Sequence, residues 1–205
     1  MPHTSIYTIG HSTHAVDWFI ELLLRHAITA VGDVRSAPYS QMNPQFNREL
    51  LRHTLKEAGI SYVFLGEELG ARSKDPSCYR HAKVDYELLA RTELFRSGLE
   101  RVREEARTQR LALMCAEKDP LDCHRTILVA RNLVEQGLPV SHILSDGNVE
   151  SHDQSMSRLM RMLRIGEDDL FRSREDAIRD AYRKRGEAIA YTEQIDQTQR
   201  SAKAH

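Results

Sequence analysis

The residues best suited to chemistry crowd into one stretch, CAEKDPLDCHRTILVARNL, running from Cys115 to Leu133. It holds two thiols (Cys115, Cys123), a carboxylate (Glu117), an imidazole (His124) and a guanidinium (Arg125). Asp122 stands where a helix N-cap belongs, just before helical spacing begins. Cys123, His124 and Arg125 then fill the first turn, where unpaired N–H groups and the positive end of the helix dipole favour an anion. Arg125 adds a two-pronged donor for phosphate or carboxylate. The same field lowers a thiol pKa, so Cys123 reads as a nucleophile; the competing reading makes it a small residue packing helix on sheet. His124 and a second histidine, His11, are candidate general acids or bases, because imidazole titrates near neutrality. Glu117 either orients a histidine or acts as an acid; otherwise it is an exposed carboxylate or a partner for Arg35.

Asp33 and Arg35 alternate along an apolar run and so share a face. We expect an ion pair fixing the strand end together with an anion grip by Arg35, since burying charge there is costly without a reason. Ser12 and Arg72 complete the ligand-binding set of Ser12, Asp33, Arg35, Arg72 and Arg125. No metal site is expected, because the C-x7-C-H spacing of Cys115, Cys123 and His124 is that of neither ribbon nor finger. Cys115 and Cys123 also lack the C-x-x-C spacing of a redox pair. Arg125 follows Cys115 by ten positions and Cys123 by two, which fits neither a phosphatase nor a rhodanese loop.

Such groups need elements to position them. Five short apolar runs predict strands: 5–9, 28–34, 60–65, 110–115 and 139–144. Between them lie helical faces, Val16/Phe19/Ile20/Leu23, Leu51/Leu55/Ala58, Phe95/Leu99/Val102/Ala106 and Ile127/Ala130/Val134, two of them stopped by Gly59 and Gly137. This alternation predicts a doubly wound α/β domain over residues 1–148, with a mostly parallel five-stranded sheet and helices on both faces. Ligands bind outside the carboxyl ends of such strands. Four of the five strand ends carry a His, Arg or Cys, whereas the opposite edge shows simple caps such as KEAG and EQGLP. That asymmetry is the strongest argument for a cleft. Residues 149–205 predict a helical extension, with Met156, Leu159, Met160 and Leu163 on one face, a second helical stretch from Asp168 to Tyr191 and a frayed tail from Gln197. Its charge is mixed, so it is either packed on the domain or a partner-binding pair through which a homodimer forms.

The chain has 205 residues, 40% apolar and 29% charged, with a formal net charge of -1. This is an ordinary globular composition, and no global basic field argues for nucleic acid. No apolar run is long enough to span a membrane, the start is unlike a signal peptide, and three cysteines make no disulfide framework. A cytoplasmic location follows as the expectation. Neither a G-x-G-x-x-G nor a P-loop is present, and nothing in the sequence names a cofactor.

YTIGHS, VGDVRSAPYS, ISYVFLGEELGAR and LALMCAEKDPLDCHR, in this order, resemble the bacterial family catalogued as domain of unknown function 488. The resemblance spans roughly residues 5–145. It implies a compact, cytoplasmic α/β domain and no particular activity. The family's motif positions fall on His11, Ser12, Asp33, Arg35, Arg72, Cys115, Glu117, Cys123, His124 and Arg125. Ala71 stands where the family pattern L-G-G-R has its second glycine, which questions a left-handed backbone there. Two readings follow. One is an enzyme acting on an anionic, phosphate-bearing substrate such as a nucleotide or nucleic-acid end, with Cys123, His124, His11 and Glu117 doing the chemistry. The other is a module that binds a nucleotide, nucleic acid or protein without chemistry.

Overall fold

Near-continuous apolar runs pair in parallel when helices cover both faces of the sheet. The computed structural model of this chain describes residues 5–166 and 173–193. Its strands are β1 (Ile6–Gly10), β2 (Ala30–Asp33), β3 (Ser61–Phe64), the hairpin strands β4 (Tyr79–Arg80) and β5 (Lys83–Val84), β6 (Leu111–Cys115), β7 (Val140–Ile143) and β8 (Val149–Ser151). The main sheet has the order β3-β2-β6-β1-β7-β8, parallel except for β8, which pairs antiparallel with β7. The expected five strands are therefore six. The sixth is a three-residue edge strand reached by a turn at Gly147, where φ is +88°. A run that short carries no periodicity, so the sheet continues past residue 148 unannounced.

One face is covered by α1 (Val16–Arg25) and α2 (Arg48–Glu57), whose Phe19, Leu22, Leu23, Leu51 and Leu55 pack on Ile9, Val31, Ala112 and Met114. Two short helices follow, α3 (Gly66–Leu69) and α4 (Tyr86–Ala90). The second face carries α5 (Glu93–Thr108), a π-helical turn over Arg125–Ala130 that runs into α6 (Arg131–Glu135), then α7 (His152–Met162) and α8 (Arg174–Ile189). The two glycine stops have positive φ, +74° at Gly59 and +81° at Gly137. Ser151 and Gln154 form a reciprocal capping box at the start of α7. Met156, Leu159, Met160, Ala177, Ala181 and Tyr182 of α7 and α8 join the main core, so this region packs on the sheet. The expected helical residues 168–172 and the tail from Gln197 lie outside the described residues. No helix among the described residues is long and apolar enough to cross a membrane.

A buried polar chain ties α7 and α8 to the sheet. Thr8 Oγ1 meets His142 Nδ1 at 2.8 Å, His142 Nε2 meets His152 Nδ1 at 3.0 Å, and His152 Nε2 meets the Tyr182 hydroxyl at 2.5 Å. The single proton between the two rings forbids charging both, and one donor and one acceptor per ring, the neutral form, satisfies the whole chain. Burial lowers His152 to about 4 and His142 well below its ordinary value. A histidine held neutral stabilises the fold above its unfolded pKa, near 6.5, and loses that contribution as pH falls toward the folded pKa. Stability should accordingly be flat above pH 7. It should then fall by roughly 2 kcal/mol per buried histidine on going to pH 5, before carboxylates contribute. Urea titrations at pH 7.5 and 5.0 check this; equal midpoints would refute the neutral chain.

Candidate functional site

β6 lies between β1 and β2, so the carboxyl ends of these three strands are neighbours. Gly10 sits opposite Cys115, and Asp33 opposite Met114. His11, Arg35 and the Cys115–Arg125 stretch are thereby collected from distant parts of the chain. Gly10 matters here, because a Cβ at that position would come within 1.9 Å of the Glu117 carbonyl oxygen. Glycine lets the loop after β6 lie against β1.

Arg35 is held by Asp33, Phe46 and His11. Its Nε and Nη2 donate to the two Asp33 oxygens at 2.9 and 2.6 Å, and Nη2 also donates to the Phe46 carbonyl at 2.9 Å. Tyr62 donates its hydroxyl to Asp33 Oδ2 at 2.7 Å. The expected Asp33–Arg35 pair is thus present and buried. His11 accepts from Arg35 Nη1 at 3.1 Å through Nε2 and donates from Nδ1 to the Ser12 carbonyl at 2.8 Å. Its ring stacks on Phe46 at 4.2 Å. Burial first, and then Arg35, lower His11 to about 4, so it is neutral. With both nitrogens engaged, His11 is a positioning residue for Arg35 and does not line the cleft described below. Ser12 adopts a left-handed backbone, φ 50°, and likewise lies off the cleft.

The thiols meet at the end of β6. Cys115 Sγ lies 3.7 Å from His124 Nδ1, and Cys123 Sγ lies 3.8 Å from the same nitrogen. His124 Nε2 donates to the Val34 carbonyl at 3.0 Å, which turns Nδ1 to the sulfurs. The Glu117 carboxylate is 2.8 Å from Cys123 Sγ. Burial opposes an anion at Cys123, but the Cys115 thiol, Arg125 and His124 outweigh it and hold Cys123 well below its ordinary value. Cys115 is raised well above its own by burial and by Cys123. His124 is raised because the neighbouring Cys123 anion overcomes burial. Partial burial of the carboxyl and the adjacent Cys123 raise Glu117.

Asp122 does not cap. Asp119 accepts from the Leu121 N–H at the start of a 3-10 turn, and Asp122 instead pairs with Arg185 of α8. The chain turns from extended to helical at Cys123, whose carbonyl accepts from Thr126 and Ile127 and whose sulfur takes the Arg125 N–H at 3.4 Å. The thiol itself occupies the capping place. Arg125 is fully buried; its guanidinium donates to the carbonyls of Glu117 at 2.7 Å and Lys118 at 3.3 Å. It clasps the loop from beneath and presents no face to a ligand in the cleft.

Above the thiols opens a cleft of about 240 Å³. Cys115, Glu117 and His124 form its floor, Arg35 and Arg72 its walls, and Tyr86, Ile189 and Tyr191 its rim. Arg72 stacks over the Tyr191 ring at 4.6 Å and makes no ion pair among the described residues. Cys123 is only 1% exposed and is shielded from this cleft. Ala71 has no positive φ; the crowded glycine is Gly70, where a Cβ would meet the Gly66 carbonyl oxygen at 2.3 Å. Tyr86, Ile189 and Tyr191 carry no sequence signal for the cleft, and the spacing of Cys115 fits neither a metal ligand nor a redox thiol. Cys115 stands out only as one of two thiols in its stretch, as a family motif position and as the last residue of a central strand, with no role of its own.

The family model described as Domain of unknown function DUF488 matches residues 15–132. The match covers Asp33, Arg35, Arg72 and the whole Cys115–Arg125 stretch, and begins after His11 and Ser12. No curated protein and no solved structure matches the chain.

Proposed function

Because the chain belongs to the DUF488 family, whose description specifies no reaction, we propose a function from the site itself: an enzyme acting on a small, anionic, phosphate-bearing substrate at the carboxyl edge of the sheet. Arg72 and the cleft face of Arg35 take the anion. Cys115, Cys123, His124 and Glu117 form the reacting centre. One observation carries this reading, the convergence of Cys115, Glu117 and His124 at the floor of a cleft walled by two arginines, with Cys123 in contact behind them. Structural clusters perturb titration as well, but this one stands at the strand edge where open α/β sheets bind ligands. A cleft of about 240 Å³ suits a phosphate ester or the phosphate end of a nucleotide and is small for a dinucleotide. Three free cysteines accord with a cytoplasmic setting.

A module that binds the same anion without chemistry is the second reading, favoured by the shielding of Cys123 from the cleft. A panel of phosphate esters and nucleotides, followed for product release, separates the two. Turnover is expected for at least one class. Binding of an ester that persists indefinitely unchanged would leave the module. In either case Arg72→Ala should weaken the anion about tenfold, a rise in KM or Kd of ~1.4 kcal/mol. Its melting temperature should stay put, because Arg72 is exposed. Unaltered affinity in that variant would remove Arg72 from the site.

A further inference from the structure

We propose that Cys115, Cys123 and His124 are the ligands of one zinc-class divalent cation whose remaining coordination position faces the cleft. Their three donor atoms all lie within 4.8 Å of one another, with the imidazole nitrogen 3.7 and 3.8 Å from the two sulfurs. Metal–sulfur bonds near 2.3 Å and metal–nitrogen bonds near 2.0 Å place tetrahedral donors about 3.5–3.8 Å apart. Both nitrogen–sulfur distances match that spacing, and the two sulfurs lie within 4.8 Å of each other.

The surroundings fit as well. A ligating histidine ordinarily donates its other ring nitrogen to a carbonyl or carboxylate, and His124 Nε2 donates to Val34. The Arg125 backbone N–H reaches the Cys123 sulfur, a contact that steadies a thiolate ligand. The ligands come from rigid places, the end of a central strand and the first residues of a helix, and all three are buried. Charge also closes at the centre itself: two thiolates balance the cation. Thiolate and imidazole select zinc and its neighbours over magnesium or calcium. Shielding of Cys123 from the cleft, which argues against attack on a substrate, suits a ligand.

Three protein ligands with an open fourth position are the pattern of catalytic zinc. Cys115 and His124 line the cleft floor, so that position opens beside Glu117. A water held there would pass its proton to the Glu117 carboxylate and remain as metal-bound hydroxide. This last role rests on the enzyme reading above; the ligand set does not.

The test uses the full chain. Metal analysis of the purified protein should give about one zinc per chain. After stripping with a chelator, cobalt titration should produce intense thiolate-to-cobalt charge transfer with the visible bands of a tetrahedral ion. Cys123→Ser and His124→Ala should each weaken zinc by at least about a hundredfold against a chromophoric competitor. Should those variants misfold, the stripped wild-type chain, shown folded by circular dichroism, carries the test alone. Failure of that folded chain to take up zinc or cobalt at micromolar concentrations overturns the proposal. So does turnover by the metal-free chain that thiol alkylation abolishes, which would leave the cleft an active site run by cysteine. Stoichiometric zinc in a chain inert toward every anion would support the metal centre and remove only the enzyme reading.

Discussion

Arg35→Met should destabilise the protein by about 3–5 kcal/mol, enough to lower its melting temperature by on the order of 10 °C. Met keeps the length of the aliphatic stem, so little packing is lost. What disappears is the partner of a fully buried carboxylate. Asp33 is 0% exposed and takes both prongs of the guanidinium. A buried pair is worth little against an apolar replacement of both members, but removing one member strands the other. Two further groups lose Arg35 at once, the Phe46 carbonyl and His11 Nε2. Urea unfolding measures the loss. The double variant Arg35→Met/Asp33→Leu distinguishes stranding from packing, since it should recover much of the lost stability. A single-variant loss below about 1 kcal/mol would mean that Asp33 finds water and that the pair is a surface one.

That pair was legible because two charges alternated within an apolar run, and burial follows from such a context. The five parallel strands were legible for the same kind of reason: each is four or five residues long and flanked by helical periodicity. β8 and the β4/β5 hairpin have two or three residues per strand and no period to detect. The caps show a different limit. Asp122 and Asp119 are both acceptable by spacing, and only the 3-10 turn at Pro120 decides for Asp119. Among the site residues, Asp33, Arg35, Cys115, Cys123 and His124 come together because β6 is inserted between β1 and β2, an order that no local pattern specifies. Tyr191 reaches the cleft because its carbonyl accepts from Val84 and its ring lies under Arg72, contacts across more than a hundred residues. The C-x7-C-H spacing matches no known metal motif, and its three donor atoms meet only because a strand end and a helix start are folded together, which local spacing does not report.

Glu117→Gln should lower turnover by at least a hundredfold while leaving KM nearly unchanged. The cleft has two carboxylates, Glu117 and Asp122. Asp122 is held by Arg185 from α8, so its charge is already spent. Glu117 stands on the floor beside Cys123, its backbone carbonyl clasped by Arg125 and its peptide pressed against Gly10. At the proposed reacting centre a carboxyl so placed acts as general acid or base, a role worth about 10²–10⁴ in rate. Glutamine preserves size and hydrogen bonding but cannot carry the proton, so binding survives and the chemical step fails. Asp122→Asn is the matched control, expected to change turnover by less than about threefold, within the ±0.5 kcal/mol typical of surface changes. Metal content measured in the same samples separates proton transfer from ligand loss, because Glu117→Gln keeps Cys115, Cys123 and His124 intact. Full activity in Glu117→Gln would remove Glu117 from the chemistry, whatever the centre holds. A rise in KM at unchanged kcat would make it a substrate contact instead.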